Sequence, residues 1–597
     1  MIYRIRYLST PFKVIQRFQS AVHERRFVSS VSNYAESPAK LTQSYYHHAS
    51  SVPYRYRTVG QQLDHLTLIQ PTFECYVFQG ENKRYTLKTL KDEIDSIAVS
   101  LLELGFEKND RLAVWLPNTS ENVSMTYACS KLGVIKVNIN PAYQDRELSY
   151  CLNKVGCKGL VMQPKVKSID SLNILKRIIP ELEHQSGDLN SKLIPSLKHV
   201  IITGDSTPVS GTHSYNYLLN RGANKRQNEL FERQNFLDPD TPLAIYFTSG
   251  TTGSPKAAIL TNFNMANNGR VFKLLYSDYF EKLCCPIPLF HVFGEVCGTL
   301  NSITNGFSTI FPSMLPDTVA TMKAIEQERC TCLIGAPIIF QNILTHVDRK
   351  KYDMSSLLFG IVGAAPVSLQ LLETIEREIP IKYISQGYGM TENAAALTMS
   401  VFANEDKQRR HGSVGKAMPR LEVKLVNKNG ETVPIGEVGE IWARGYNVMK
   451  GYWNDPDKTR ETITNENWLK TGDVATMDDE GYLYFHSRQK EMVIIGGLNV
   501  YPVEIEHTLV EHPQIADAQV FGIPDVKYGE VLCAWIKLKE HEHGDIQEIK
   551  DFLSKRLAFY KIPKHIKIVE SFIEYMTPTG KVQKSKLIEI AKELNKI

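Results

Sequence analysis

Between Tyr85 and Met162 the apolar positions change period repeatedly. Over residues 87–104 they fall at helical spacing (Ile94, Ile97, Ala98, Leu101, Leu102), and Gly105 ends the run. Residues 112–116 form a short apolar block of strand length. The pattern then predicts a helix capped by Ser120 and ending near Gly133, a strand over 134–139, a helix over 145–155 and a strand over 159–162. Strands and helices alternating at this size predict a parallel α/β sheet. Residues 206–240 are polar and irregular, and they predict a surface insertion.

Farther along, Ile245 to Phe247 read as the end of a buried strand. A loop follows, made of Thr248, Ser249, Gly250, Thr251, Thr252, Gly253 and Ser254 and closed by Pro255 and Lys256. Gly250 and Gly253 permit positive φ and close approach of backbone to ligand. The hydroxyls and backbone N–H groups offer donors, and Lys256 adds a mobile point charge, an inventory that suits a polyphosphate. The spacing differs from the P-loop, whose glycines stand farther apart and directly precede the lysine. Two more segments read as buried strands ending in turns: residues 360–366, with the small run Gly363 to Ala365, and residues 386–392, predicted to lead into an Ala-rich helix. Ligands of open parallel sheets sit at such carboxyl ends. Tyr388 can offer a ring face to a base, Thr391 a hydroxyl to a phosphate, and Glu392 an oxygen to a hard cation.

Composition narrows the class. A chain of 597 residues is too long for one core, so two or more domains are expected. The formal charge of +4 is misleading: residues 1–27 hold six basic side chains against Glu24 alone, a net +5, which leaves −1 for the rest. The body of the chain therefore gives no electrostatic case for nucleic acid. No apolar run reaches the length of a membrane span. The first segment is Arg- and Ser-rich, acid-poor and apolar at helical intervals, the composition of a mitochondrial transit peptide over residues 1–27. Arg25-Arg26-Phe27 is similar to a matrix-protease cleavage site, so the mitochondrial matrix is the expected location. The ten cysteines form no CxxC pair and no zinc-spaced cluster, and Cys284 and Cys285 are expected to be apolar fillers.

The loop from Thr248 to Lys256 resembles the phosphate-binding signature of the adenylate-forming superfamily, which includes acyl-CoA synthetases, peptide-synthetase adenylation domains and luciferases. One departure is Ala257, where those enzymes usually carry Gly. The string Tyr388-Gly-Met-Thr-Glu392 resembles the family's next motif, and Arg444 to Trp453, Thr471-Gly-Asp473 and Pro578-Thr-Gly-Lys581 follow in the family's order. Arg444–Trp453 and the transit-like start are similar to mitochondrial medium-chain acyl-CoA synthetases.

The resemblance implies an α/β fold: a large N-terminal domain (50–487) of parallel and mixed sheets with a β-rich subdomain, then a small mobile α+β domain (488–597). It implies an AMP-forming carboxylic acid–CoA ligase that uses ATP, Mg²⁺ and coenzyme A. The Thr248–Lys256 loop would bind phosphates, Tyr388 adenine, Asp473 the ribose hydroxyls, and Arg488 the ribose or phosphate. Thr248 and Glu392 would attend Mg²⁺, Lys581 would be the adenylation lysine, and Lys490 the hinge. Gly497 would approach the pantetheine arm. His291 would lie beside the substrate, not as a general base, with Phe293, Gly335 and the Gly363–Ala365 run as candidate pocket walls. Enzymes that load a carrier protein, luciferase-like oxygenases, and ligases for long-chain or aromatic acids share these motifs and stand as alternatives.

Overall fold

The computed structural model describes residues 40–183, 189–204, 209–222, 226–248, 255–276, 281–400, 406–495, 498–525, 527–577 and 580–594. The expected transit segment and residues 249–254 and 496–497 lie outside these.

Two large sheets form the bulk of the chain. In the first, His213–Ser214, His199–Ile202, Gly159–Met162, Arg111–Trp115, Ile135–Asn138 and Pro242–Thr248 run parallel. Lys256–Thr261 and Gly451–Tyr452 add antiparallel at its edge. In the second, Glu74–Phe78, Ser308–Phe311, Lys282–Cys284, Cys332–Gly335, Phe359–Val362 and Tyr383–Tyr388 are parallel. One continuous apolar cluster joins the two sheets through the helices Val59–Ile69, Leu87–Glu103, Ser120–Leu132 and Asn262–Tyr276. Separate clusters cover the outer face of each sheet. Burial on both faces explains why these strands are near-continuous apolar runs.

A third, antiparallel sheet contains Tyr45–His47, Glu422–Val426, Gly439–Arg444, Leu469–Met477 and Leu483–Arg488. It is the β-rich part expected from sequence. After residue 490 a smaller α+β unit follows, built on the long hairpin Ile515–Asp525 with Gly529–Leu538 and packed by two apolar clusters of its own.

The predicted early elements appear within a residue or two of their expected ends. The 145–155 helix and 159–162 strand match theirs, observed as Asp145–Val155 and Gly159–Met162. The cap at the second helix sits one residue earlier than predicted: Thr119, not Ser120, accepts from the Asn122 N–H. Residues 206–240 are not an irregular insertion. They include the helices Tyr215–Gly222 and Gln227–Asn235, anchored by buried Tyr215, Leu218 and Leu230. The apolar positions are few because only one face of each helix is covered. No Ala-rich helix follows Glu392. Ala394 and Ala395 take left-handed φ of 55° and 87°, and the chain returns as the strand Thr398–Met399, paired to Gly387 and Tyr388. The Asn268 side-chain amide donates to the carbonyls of Asn393, Ala394 and Ala396, which offsets the strain.

Gly222 marks the tightest helix crossing on the Leu87–Glu103 helix. A Cβ there would lie 1.8 Å from the Ser96 carbonyl oxygen and 2.7 Å from Ser100 Oγ. Gly222→Ala should therefore lower stability by about 1–3 kcal/mol, seen as a fall in Tm, whereas an unchanged Tm would contradict this packing.

Candidate active site

The strands that flank the Thr/Ser/Gly loop are fixed independently of the loop. Thr248 and Lys256 face each other across the antiparallel pair. Ala257 is buried inside the second strand, where the chain is extended and a methyl group fits, so the departure from Gly is accommodated. Gly451–Tyr452 pairs with this strand, and the Lys256 ammonium lies 4.9 Å from the Tyr452 ring centroid. Tyr452 in turn donates its hydroxyl to Glu392 Oε1 at 2.8 Å. The loop's closing cation and the buried carboxylate are thus held in one chain of contacts, and Tyr452 is the link. Its sequence signal was slight: an aromatic in the 444–453 segment, unassigned.

Tyr388 ends its strand and donates its hydroxyl to Asp473 Oδ2 at 2.7 Å. Asp473 is only 3% exposed, and its other oxygen lies 3.4 Å from Arg488 Nε. Asp473 and Arg488 are direct cross-strand partners. Burial pushes the Asp473 carboxyl up, and the Arg488 charge pulls against it. The Tyr388 phenol is raised well above its ordinary value, by burial first and by Asp473 second, and remains a neutral donor. Thr391 is half-buried at the start of a single helical turn that also carries Glu392.

Lys581 comes from the small unit. Its turn is closed by Thr577 N–H to the Lys581 carbonyl at 2.7 Å and by Lys581 N–H to Thr577 Oγ1 at 3.1 Å. Gly580, at φ +81°, lies so close to the helix Pro337–Thr345 that a Cβ would meet Ile338 Cγ2 at 2.5 Å. The turn is therefore seated on the large domain. There Lys581 comes within electrostatic reach of Arg488, Glu491 and Asp473. Burial, reinforced by Arg488, lowers its ammonium to about 8.

His291 is half-buried, and its Nδ1 accepts from the Phe293 N–H at 3.3 Å, which leaves the ring proton on Nε2. Burial lowers the ring to about 4, so it is neutral near pH 7. Phe293 opens a π-helix, Phe293–Leu300, that the sequence did not predict. Its ring stands 3.9 Å from where a Gly363 Cβ would be, which places it against the Gly363 turn. Gly335 faces Ile339 and Phe340 instead. Lys490 is exposed in the turn after Arg488. Ser249, Gly250, Thr251, Thr252, Gly253, Ser254 and Gly497 lie outside the described residues.

Among the described residues no cluster of three His, Cys, Asp or Glu side chains stands ready for a metal ion. A cation at Glu392 would accordingly draw its remaining oxygens from a nucleotide and water, the usual habit of Mg²⁺. One Glu392 oxygen is engaged by Tyr452, so the carboxylate is oriented and keeps acceptor capacity. The donor set fits such an ion.

The structure thus brings Lys256, Tyr452 and Glu392 into one chain of contacts and Tyr388, Asp473, Arg488 and Lys581 into another, where the two parallel sheets meet the antiparallel one. Comparison with known proteins carries this further. The AMP-binding enzyme family matches residues 64–453, and the AMP-binding enzyme C-terminal domain matches residues 504–581. The medium-chain acyl-CoA ligase ACSF2, mitochondrial, of Danio rerio is 38% identical over 97% of this chain and 94% of its own. The human ACSF2 ligase is 38% identical over 89% and 87%. A putative acyl-CoA synthetase of Bacillus subtilis, YngI, is 36% identical over 89% and 96%. Among solved structures, the anthranilate CoA ligase AuaEII in complex with anthranoyl-AMP superimposes with TM-score 0.79 at 23% identity, over 92% of this chain and 99% of that one. ATP-bound MatB of Rhodopseudomonas palustris gives 0.74 at 23%, over 90% and 100%. The chain belongs to the AMP-binding enzyme family.

The depressed Lys581 ammonium makes a pH prediction. If the protonated form assists nucleotide chemistry, kcat/KM for ATP should hold level below about pH 8 and fall tenfold per unit above it. Lys581→Arg should carry that limb beyond about pH 10, because guanidinium keeps its charge. An alkaline limb unmoved by the substitution would assign it to another group.

Proposed function

We propose that this protein is an ATP-dependent, AMP-forming fatty acid–CoA ligase, acting on medium-chain acids in the mitochondrial matrix. The observation that carries the reading is the meeting of Lys581 with Asp473 and Arg488 across about a hundred residues of sequence. Its direction is supported by the acyl-CoA ligases among the relatives, including the mitochondrial ACSF2 enzymes.

A carboxylate is a poor acyl donor because its leaving group would be oxide. Its oxygen attacks the α-phosphorus of ATP, the bond to the bridging oxygen of pyrophosphate breaks, and acyl-AMP forms. Two anions must approach each other. Lys581, Lys256 and the 248–254 donors offset that repulsion and the charge of the transition state. Glu392, assisted by the Thr248 hydroxyl, would hold the Mg²⁺ that accompanies ATP, and that ion would supply charge neutralisation. Tyr388 packs against adenine while its hydroxyl aims the Asp473 carboxylate at the ribose hydroxyls. Arg488 holds the other side of the ribose–phosphate. His291, neutral and oriented by the Phe293 N–H, lines the acyl side.

The division at 50–487 and 488–597 gives the second half-reaction its geometry. Rotation about Lys490 withdraws Lys581 and brings the Gly497 region over the acyl-adenylate. The coenzyme A sulfur then attacks the carbonyl, the thioester forms, and AMP leaves. The seating of Gly580 on Ile338 corresponds to the adenylating arrangement.

The reading is tested by acid-dependent loss of coenzyme A thiol, with AMP and pyrophosphate followed in parallel. Substrates should span acetate to palmitate, with benzoate and anthranilate alongside. A medium-chain optimum with one AMP per thiol lost is expected; an aromatic optimum would change the substrate class, and AMP without thiol loss would favour another acceptor. Lys581→Ala should reduce adenylation by about 10²–10³-fold and leave thioester formation from supplied acyl-AMP within about twofold. Equal loss in both steps would remove the role given to Lys581.

A further inference from the structure

The π-helix beside His291 carries a carboxylate in an otherwise apolar run, Phe293-Gly-Glu-Val-Cys-Gly-Thr-Leu300. Glu295 is 1% exposed, and so is its partner Lys136 on the strand Ile135–Asn138. Their oxygen and nitrogen stand 2.8 Å apart. Every donor and acceptor of the pair is occupied. The Lys136 ammonium gives one proton each to Asn122 Oδ1 at 2.8 Å, Thr126 Oγ1 at 2.8 Å and Glu295 Oε1 at 2.8 Å. Glu295 Oε1 also accepts from Thr126 Oγ1 at 2.5 Å, and Oε2 accepts from Asn138 Nδ2 at 3.1 Å and from the Tyr246 hydroxyl. Three donors and four lone-pair sites are the full inventory of an ammonium and a carboxylate.

Such a pair is a weak device for stability, since its desolvation penalty rivals its attraction and apolar replacements often do as well. What it fixes is position. It draws together the helix Ser120–Leu132, the strand Ile135–Asn138, the strand Pro242–Thr248 and the π-helix. Tyr246 lies two residues before Thr248, so both project on one face of the strand that leads into the phosphate loop. At the other end, the Glu295 N–H donates to the His291 carbonyl at 3.1 Å, and Phe293 abuts the Gly363 turn. Gly294 holds the turn closed, because a Cβ would lie 2.3 Å from the Pro288 carbonyl oxygen. The pair thus spans the two walls between which a carboxylate and the α-phosphate must meet.

We propose that Lys136 and Glu295 are positioning residues for adenylation: acting through Tyr246, they set the distance between the phosphate-loop strand and the acyl-side π-helix. The proposal rests on the ligase reading given above. It applies to the first half-reaction, in which two reactants must be aligned on both walls, and displacements of about 1 Å are costly there.

Three variants test it. Tyr246→Phe removes only the hydroxyl that ties the strand to Glu295. Lys136→Met/Glu295→Met removes both charges together, and Glu295→Gln with Lys136→Met restores one acceptor for Tyr246. Acid-dependent ATP–pyrophosphate exchange should fall in kcat by about 10-fold for Tyr246→Phe, more for the double Met variant, and recover in part with Gln. KM for ATP should stay within about twofold, and thioester formation from supplied acyl-AMP should keep the wild-type rate. Tm recorded on the same samples separates misplacement from unfolding, and Tyr246→Phe decides the matter if the double variants fail to fold. Wild-type exchange in Tyr246→Phe, or equal loss in both half-reactions, would overturn the proposal. A wild-type chain without acid-dependent exchange would remove the ligase reading and the proposal with it, whereas exchange that survives every variant would remove the proposal alone.

Discussion

Two buried phenol-to-carboxylate hydrogen bonds hold this site in register. Tyr388 to Asp473 joins the second parallel sheet to the antiparallel one, and Tyr452 to Glu392 joins the edge of the first sheet to the second. One continuous apolar cluster packs the three sheets together, but such contacts are non-directional and by themselves do little to stop small sliding between sheets. A directional bond to a carboxylate resists that sliding, because a buried acceptor left unpaired costs about 1–3 kcal/mol. The Asp473 and Glu392 carboxylates are therefore structural fasteners, positioned by the fold itself.

That arrangement shapes the electrostatics. Asp473 is buried, which pushes its carboxyl up, and a neighbouring guanidinium that itself reaches solvent pulls against that shift. Lys581 experiences the opposite balance: it enters from the small domain beside Arg488, so burial and like charge both weaken its hold on its proton. A polyanion beside Lys581 and Arg488 would relieve the Lys581 penalty, whereas the Asp473 carboxylate would repel it.

Sequence pattern made much of this legible, for reasons that differ by element. The parallel strands are buried on both faces and so appear as uninterrupted apolar blocks, and the helices between them keep clear 3.6-residue stripes. The order of motifs gave Asp473, Arg488 and Lys581 together although no local signal marks any of them. What stayed hidden depends on contacts remote in sequence. Ala394 and Ala395 looked helical, and the Asn268 amide, more than a hundred residues earlier, helps hold the segment in its left-handed conformations through the carbonyls of Asn393, Ala394 and Ala396. The helices within 206–240 were obscured by their solvent faces. Tyr452 could not be assigned without knowing that its strand pairs beside Lys256. Glu295 did leave a trace, a lone charge in an apolar run, and such residues are seldom fully buried unless paired.

The ten cysteines acquire a meaning from this chemistry. All are buried, and nine of the thiols are pushed up in pKa, mainly by loss of hydration. A mixed anhydride of a carboxylic acid and AMP acylates whatever thiolate it meets, and thiolate, not thiol, is the nucleophile. A protein that generated such an electrophile beside its own accessible sulfur would consume itself. Here all ten cysteines are enclosed, so an incoming thiol meets no competitor of its own kind from the protein.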